Sequence, residues 1–384
     1  MENGKIKIGI DVRDLKISKT GAHTYLSELC NQINKQENNK FEYVFLDTNW
    51  PTYTGYYKAG KLYEQIAFQI WKQFILPLKA WQKDCKIVFC TDYFVPYIKL
   101  GFKTIPVFHD AFFWENPSHY NKVWLFIFNK IGLSAAKKAS KIVTVTKFSQ
   151  KQISNYAKIP LSSIASIYIG PKSSITKTEI DHNSNNLELR KWDNILTKRY
   201  ILHVGTIEKR KNLGTLIKAF EQHLISSQED IYLIIVGQKS NKTLLQDQEV
   251  FKLVSQSTLL YDRVIFTGYL SDNETALLYK NAALYVFPSV NEGFGIPILE
   301  AFAHQVPLLV ANNSCLSEVA GPGAISFDPY NTTALGELIS NTLSNRILIE
   351  SLKQNGCRQL DKFSWKETLT QLESLFTEVL TEGS

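Results

Sequence analysis

At 384 residues, with 44% hydrophobic and 21% charged side chains, the chain has the size and make-up of a globular protein of two ordinary domains. No uncharged apolar run approaches the ~20 residues a membrane-spanning helix needs, so an integral membrane bundle is excluded. The net charge of +7 hides an asymmetry, +12 over residues 1–180 and −5 over the rest, which suits either an anionic partner for the first half or a lysine-rich solvated surface.

In chain order, the first half alternates strand and helix signals. Strands are predicted at 6–11, 42–46, 87–90, 104–108, 142–145 and 164–168, and helices at about 22–34, 62–81, 122–139 and 148–156. The first strand starts close to residue 5, and no secretory signal is expected ahead of it. Within 50–81, Tyr53, Tyr56, Tyr57, Tyr63, Trp71, Phe74 and Trp81 interleave with Lys58, Lys61, Lys72 and Lys79. Such a segment either lies in an anionic membrane interface or buries its aromatics under lysine stems. Residues 170–186 lose their apolar period and read as a linker. Strands then recur at 200–204, 232–236, 264–266, 284–287, 307–310 and 324–327. Their short Val/Ile/Leu runs are those of buried parallel strands. A last helix is expected from 364, with Ser364 as N-cap and Glu367 completing a capping box. The fold class is α/β, two Rossmann-like domains with parallel sheets facing across a cleft, and ligands belong outside the strand carboxyl ends.

Five scattered cysteines form no CxxC pair, which fits reduced thiols in the cytoplasm. No basic helix, zinc site or aromatic-basic platform is present, so nucleic acid is not an expected partner. GxSxG, HExxH and a complete GxGxxG are also missing, against hydrolase, zinc-protease and dehydrogenase readings.

The densest signal is Phe287-Pro288-Ser289-Val290-Asn291-Glu292-Gly293-Phe294-Gly295-Ile296-Pro297-Ile298-Leu299-Glu300. An apolar strand enters a glycine-flanked turn, and proline opens a helix whose N-terminus offers donors and a positive dipole end to an anion. Two carboxylates beside an anion site make sense when they accept hydrogen bonds from hydroxyls of the same ligand, as a nucleotide-sugar would provide. Read alone, the same residues also describe a buried strand-turn-helix with solvated glutamates.

With its surroundings, this segment resembles the donor motif of the retaining glycosyltransferases of family 4, GT-B enzymes that carry two glutamates separated by seven residues. The resemblance covers nearly the whole chain. It implies that Glu292 lies near the donor sugar and that Glu300 binds the ribose. It places the donor diphosphate against Lys211 and Arg210 of His203-Val204-Gly205-Thr206-Ile207-Glu208-Lys209-Arg210-Lys211-Asn212, with Gly21, Gly293, Phe294 and Gly295 alongside. Many members carry arginine directly after the glycine, where this chain has Thr206, and Arg210 is the candidate to compensate. The base is expected against Thr267, Gly268 and Tyr269. Relatives often have two glycines in the loop that here holds only Gly21. His109, at a predicted strand end, would orient the sugar or stabilise the transition state, and Asp110 would assist or touch the acceptor.

No DxD motif occurs, so no metal and no cofactor are expected, and the leaving diphosphate falls to Lys211, Arg210 and helix N-termini. The resemblance implies residues 1–175 as the acceptor-binding domain, with helix 364–384 packing back on it, and 190–360 as the nucleotide-sugar domain. The expected function is transfer of a hexose or deoxyhexose, mannosyl or rhamnosyl by preference, from a nucleotide-sugar to a glycan or lipid-linked acceptor. Its expected setting is bacterial surface polysaccharide assembly at the inner face of the membrane, with retention by a same-face route. A non-catalytic GT-B module, or a synthase acting on a small soluble acceptor, are the alternatives.

Overall fold

The computed structural model describes residues 4–17, 21–55, 57–117, 122–176, 192–238 and 244–382. The chain divides into two compact units, residues 1–170 with 364–384, and residues 171–363.

In the first unit, β1 (Ile6–Asp11), β2 (Phe41–Leu46), β3 (Ile87–Cys90) and β4 (Lys103–Pro106) form a parallel sheet in the order β2-β1-β3-β4. β5 (Ile142–Thr144) and β6 (Ile164–Ser166) pair in parallel, and a bridge from Val107 to Val143 joins them to the β4 edge. β3 is buried along its whole length, as its apolar run requires. Its helices include α1 (Gly21–Lys35), α2 (Lys58–Ile70), α3 (Leu76–Gln82), α4 (Lys122–Ile127), α5 (Leu133–Lys137) and α6 (Lys147–Ala157), with a short one at Phe112–Glu115.

The two long helices expected at 62–81 and 122–139 are each interrupted by a π turn, Trp71–Ile75 between α2 and α3 and Phe128–Gly132 between α4 and α5. A π turn is wider than an α turn and re-aims the side chains around it. Trp71 and Lys72 are turned into the interior, where Trp71 Nε1 donates to Asp11 Oδ1 at 3.0 Å and Lys72 Nζ reaches Asp11 Oδ2 at 2.5 Å and Asp92 Oδ1 at 2.6 Å. Of the two alternatives for this segment, Trp71 follows the buried one and Lys72 neither, because its whole side chain goes inward; Tyr56 lies outside the described residues.

The C-terminal helix Trp365–Thr381 belongs to this unit. Trp365 meets Tyr25 edge-on at 5.6 Å, and Phe376 meets Phe41 and Phe89 at 6.1 and 5.7 Å. Ser364 caps it by accepting the Glu367 N–H at 3.1 Å. The expected capping box is only half built, because the Glu367 carboxylate accepts instead from Gln371 Nε2 at 2.9 Å.

The second unit is a six-stranded parallel sheet of β7 (Arg199–Val204), β8 (Ile231–Val236), β9 (Val264–Gly268), β10 (Leu284–Phe287), β11 (Leu308–Ala311) and β12 (Ala324–Phe327), in the order β12-β11-β10-β7-β8-β9. Strand order reverses between β7 and β10, the topological switch point at which open α/β sheets hold ligands. Its helices include α7 (Leu213–Ser227), α8 (Leu244–Gln256), α9 (Asp272–Asn281) and α10 (Ile296–Ala303). Unit 2 begins earlier than residue 190, because Lys172 Nζ and Ser174 Oγ both bond Asp272 at 2.5 Å. Most of the expected linker, residues 177–186, lies outside the described residues.

Candidate functional site

Two loops at the switch point of the second unit are laced together. After β7, a short 3-10 turn, Lys209–Lys211, ends on Asn212 at φ +54°, which starts α7. After β10 runs the loop to Glu292. Val290 N donates to the Arg210 carbonyl at 2.8 Å, Ser289 Oγ lies 3.1 Å from the same carbonyl, and Arg210 Nη1 donates to the Asn291 carbonyl at 3.2 Å.

This lacing brings three charges together. Glu292 Oε1 lies 2.6 Å from Lys211 Nζ, and its Oε2 lies 2.7 Å from Arg210 Nη1. Ser289 Oγ donates to Glu292 Oε1 at 2.5 Å, and Arg210 Nε reaches back to Glu208 at 2.7 Å. Burial would raise the Glu292 carboxyl, but the Arg210 and Lys211 charges outweigh it and hold the group down to about 2. Burial pushes the Lys211 ammonium below its usual value, with Glu292 opposing. Lys211 and Glu292 are both withdrawn from water, so their fields act at low local dielectric. Arg210 and Lys211 are matched by Glu292 and Glu208, so the cluster is close to neutral and offers a further anion two aimed cationic donors, with Lys209 exposed on the same turn.

Glu300 is not in the first helical turn but at the fifth position of α10, buried and facing inward. Tyr279 Oη, on α9, donates to its Oε2 at 3.0 Å. Burial raises the Glu300 carboxyl to about 7, against the lowering effects of that hydrogen bond and of Lys172. Gly295 starts α10 at φ +91°, and a Cβ there would come within 2.7 Å of Leu316, so only glycine fits. Proline stands at the second helical position, not the first. The Phe294 ring is buried edge-on to Phe363 at 5.8 Å, which leaves only its main chain for a ligand. Thr267 and Gly268 close β9, with Thr267 Oγ1 donating to the Gly268 carbonyl at 3.0 Å, and Tyr269 is exposed. Gly268 has φ +73° with open space beside it, so its backbone alone calls for glycine.

The remaining expected residues lie in the first unit. Gly21 is exposed at the start of α1 with nothing near a Cβ position. His109 Nε2 donates to the Thr91 carbonyl at 2.9 Å, which leaves Nδ1 as the bare nitrogen, and its ring packs edge-on to Tyr25 at 5.3 Å. Burial pushes its pKa down, with the Thr91 bond opposing, so the ring is neutral at pH 7. Asp110 Oδ1 accepts from Tyr93 Oη at 3.0 Å and from the Phe112 N–H at 3.1 Å, which binds it to the start of the short helix that follows.

Sequence reasoning passed over three supporting side chains. Ser289 and Tyr279 position the two glutamates as described. His203, at the end of β7, is fully buried, and its Nδ1 donates to the Val286 carbonyl at 3.0 Å. Burial takes it down to about 4, so it adds no third cation beside Lys211. Ser289 and His203 both sit inside the motifs already singled out, and that was the available signal. Among the described residues, no group of three or more His, Cys, Asp or Glu is placed to hold a metal ion.

Residues 185–359 match the family model described as glycosyl transferases group 1. The chain is 27% identical over 291 residues to the serotype-specific mannosyltransferase WbdA of Escherichia coli, a match covering 74% of this chain and 35% of that protein. It thus spans about a third of the length of that relative. It is also 27% identical to the O-antigen chain mannosyltransferase B of Escherichia coli, over 70% of this chain and 68% of that one. Among solved structures, the sucrose-phosphate synthase of Thermosynechococcus elongatus superposes with a TM-score of 0.72 at 16% identity, covering 99% of this chain and 100% of that chain. Anabaena HepE in complex with UDP and glucose gives 0.67 at 16% identity, covering 97% and 100%. These likenesses span both units and extend well beyond the matched segment. The charge triad at the β7/β10 switch point therefore sits inside the segment that matches the glycosyl transferases group 1 model, carried by a chain of GT-B fold.

Proposed function

We propose that this protein transfers a hexosyl or deoxyhexosyl residue, mannosyl or rhamnosyl by preference, from a nucleotide-sugar to a hydroxyl of a glycan or lipid-linked saccharide. The setting proposed is bacterial surface polysaccharide assembly at the cytoplasmic face of the membrane, in keeping with the mannosyltransferases it is similar to. The observation that carries the reading is the Arg210–Glu292–Lys211 cluster, whose two closely placed cationic donors suit a diphosphate. Lys211 and Arg210 are assigned to that diphosphate, with the main chain at Gly293, Phe294 and Gly295 and with Gly21. Glu300 is assigned to the ribose hydroxyls, and Thr267, Gly268 and Tyr269 to the base.

We assign Glu292 and His109 to the sugar and Asp110 to the acceptor. The bond from the anomeric carbon to the diphosphate oxygen breaks as the acceptor oxygen bonds that carbon on the same face, and the acceptor proton passes to the departing diphosphate. This route retains configuration and needs no protein base, in keeping with a neutral His109. Lys211 and Arg210 would meet the charge that builds on the leaving group, so no metal is assigned a role.

Thermal unfolding against UDP-, GDP-, dTDP- and ADP-sugars without added metal tests this, since a ligand that binds only the folded state stabilises by RT ln(1 + [L]/Kd). One nucleotide class should raise the midpoint, and Glu300→Ala should abolish the shift. No shift with any class would sink the donor assignment.

Glu300 also predicts a pH dependence. With its carboxyl near 7, only the ionised form accepts both ribose hydroxyls, so affinity should rise as pH increases. Between pH 6 and 8 the nucleotide Kd should fall about tenfold, and in Glu300→Gln it should stay flat. Calorimetric titration at both pH values checks this.

A further inference from the structure

We infer that the first unit docks onto an anionic lipid bilayer through a face built from α2, α3, α4 and the loop after β3. This deepens the proposed function by naming the surface that meets the membrane, and it rests on that reading for its biological setting only.

On the outer side of the α2–π–α3 helix, Leu62, Ile66, Phe74, Leu78 and Trp81 are all exposed, Phe74 at 66% and Trp81 at 59%. They recur every three to four residues, with half-buried Ile70 filling the one gap. The π turn produces this sorting, since Trp71 and Lys72 go inward to Asp11 and Phe74 stays outside.

The stripe continues onto two neighbours. In the loop after β3, Tyr97, Ile98 and Leu100 are exposed, and the loop is tied to the helix by Gln73 Oε1, which accepts the Tyr97 N–H at 2.9 Å. Along the second long helix, Val123, Phe126 and Ile131 are exposed, Phe126 at 64%. That helix is locked to the first through Phe68, Phe94 and Trp124, with ring centroids 5.3 and 5.9 Å apart in succession. Its end is locked to the loop by Lys138 Nζ, which donates to Tyr97 Oη at 2.6 Å. Three segments thus form one connected apolar surface, more than the scattered exposed residues that need no explanation.

Charge decides the occupant. The sequence contains no Asp or Glu between Glu115 and Glu179, so the second helix itself carries cations and no acid. Lys61, Lys122, Lys130 and Lys137 are exposed around the apolar residues. On α2 and its π turn the single acid, Glu64, is consumed by an ion pair with buried Arg13. A face of Trp, Phe, Leu and Ile rimmed by lysine matches acyl chains beneath anionic headgroups. Among the described residues no helix is long and apolar enough to cross a membrane, so the contact lies in the interface plane.

Flotation with vesicles of phosphatidylcholine alone, or with about one third phosphatidylglycerol, tests this. Wild-type protein should float with the anionic vesicles and much less with the neutral ones, and added salt should weaken the association. The double variant Phe74→Glu, Trp81→Glu should lose at least about tenfold in partitioning, as should Phe126→Glu alone. Both should keep the wild-type unfolding midpoint, which separates lost docking from lost folding. The nucleotide-induced shift should also persist, because the substitutions change none of the residues assigned to the donor, in either unit, so each idea fails separately. The proposal is overturned if wild type ignores anionic vesicles or if the variants float equally well. It is also overturned if wild type is a dimer in light scattering that these substitutions convert to monomer, since a second copy then covers the face.

Discussion

Glu292→Gln is expected to lower transfer by about 10²–10³-fold, the loss typical when one preorganised polar group is removed from a site of developing charge. The same change should tighten binding of the free nucleoside diphosphate by about tenfold, roughly 1.4 kcal/mol. The opposite signs follow from the geometry. In the ligand-free protein Glu292 spans Lys211 Nζ and Arg210 Nη1 at 2.6 and 2.7 Å, the two cations that a diphosphate would engage. Neutralising the carboxylate leaves both available to phosphate while removing the group assigned to the sugar. Stability should change as well. The Glu292 carboxyl is held to about 2, far below its usual 4.5, so its contribution is present above pH 4.5 and is lost as pH falls toward 2. That contribution is roughly 3 kcal/mol, and at pH 7 the variant should unfold correspondingly earlier. Initial rates, calorimetric Kd for the diphosphate and denaturant melts at pH 7 and 4 read the three effects. Wild-type transfer in a folded Glu292→Gln variant would remove Glu292 from the reaction.

Lys211→Met should move diphosphate binding the other way, weakening it by about 10- to 100-fold, the worth of one or two charge-assisted hydrogen bonds. Methionine nearly conserves the volume of the buried stem, so the packing beside Phe287 and Gly205 survives while the ammonium is lost. Transfer should fall by about 10²–10³-fold, because the leaving group loses a cation that strengthens its hold as the bond breaks. Arg210 alone then faces Glu292 and Glu208, with 2.7 Å to each, so these three side chains carry a net negative charge toward a ligand. The double variant Lys211→Met, Glu292→Gln gives the coupling between the two positions. A change in diphosphate binding free energy equal to the sum of the two separate changes would mean that the ion pair does not control the site. An unchanged Kd in Lys211→Met would take the diphosphate away from this turn.

Much of the architecture could be read from local sequence. All twelve expected strands are present within one or two residues of their bounds, because short Val/Ile/Leu runs between turn residues have few other uses in a parallel sheet. The glycine at 295 was equally legible, since φ +91° against Leu316 admits no other residue. Helix continuity was less so. The patterns over 62–81 and 122–139 are helical throughout, yet both are broken by π turns where the interior takes up an extra residue.

Lys72 shows the limit most clearly. Its neighbours in sequence are aromatic and apolar, as at an interface, but Asp11 and Asp92 lie 61 and 20 residues away and pull it into a buried ion cluster. Likewise the sequence by itself determined that Arg210, Lys211 and Glu292 sit on loops after strands and Glu300 in the helix that follows, beside the strand ends where ligands bind in such sheets. Only the tertiary structure decided that Glu292 is bound by both cations while Glu300 is buried and bonded by Tyr279, two glutamates of one motif held near 2 and 7. The physical reason is range. Backbone propensity and apolar period are settled among neighbours a few residues apart, whereas ionisation is set by burial and by charges about 80 residues distant along the chain, which meet only once β7 and β10 lie side by side.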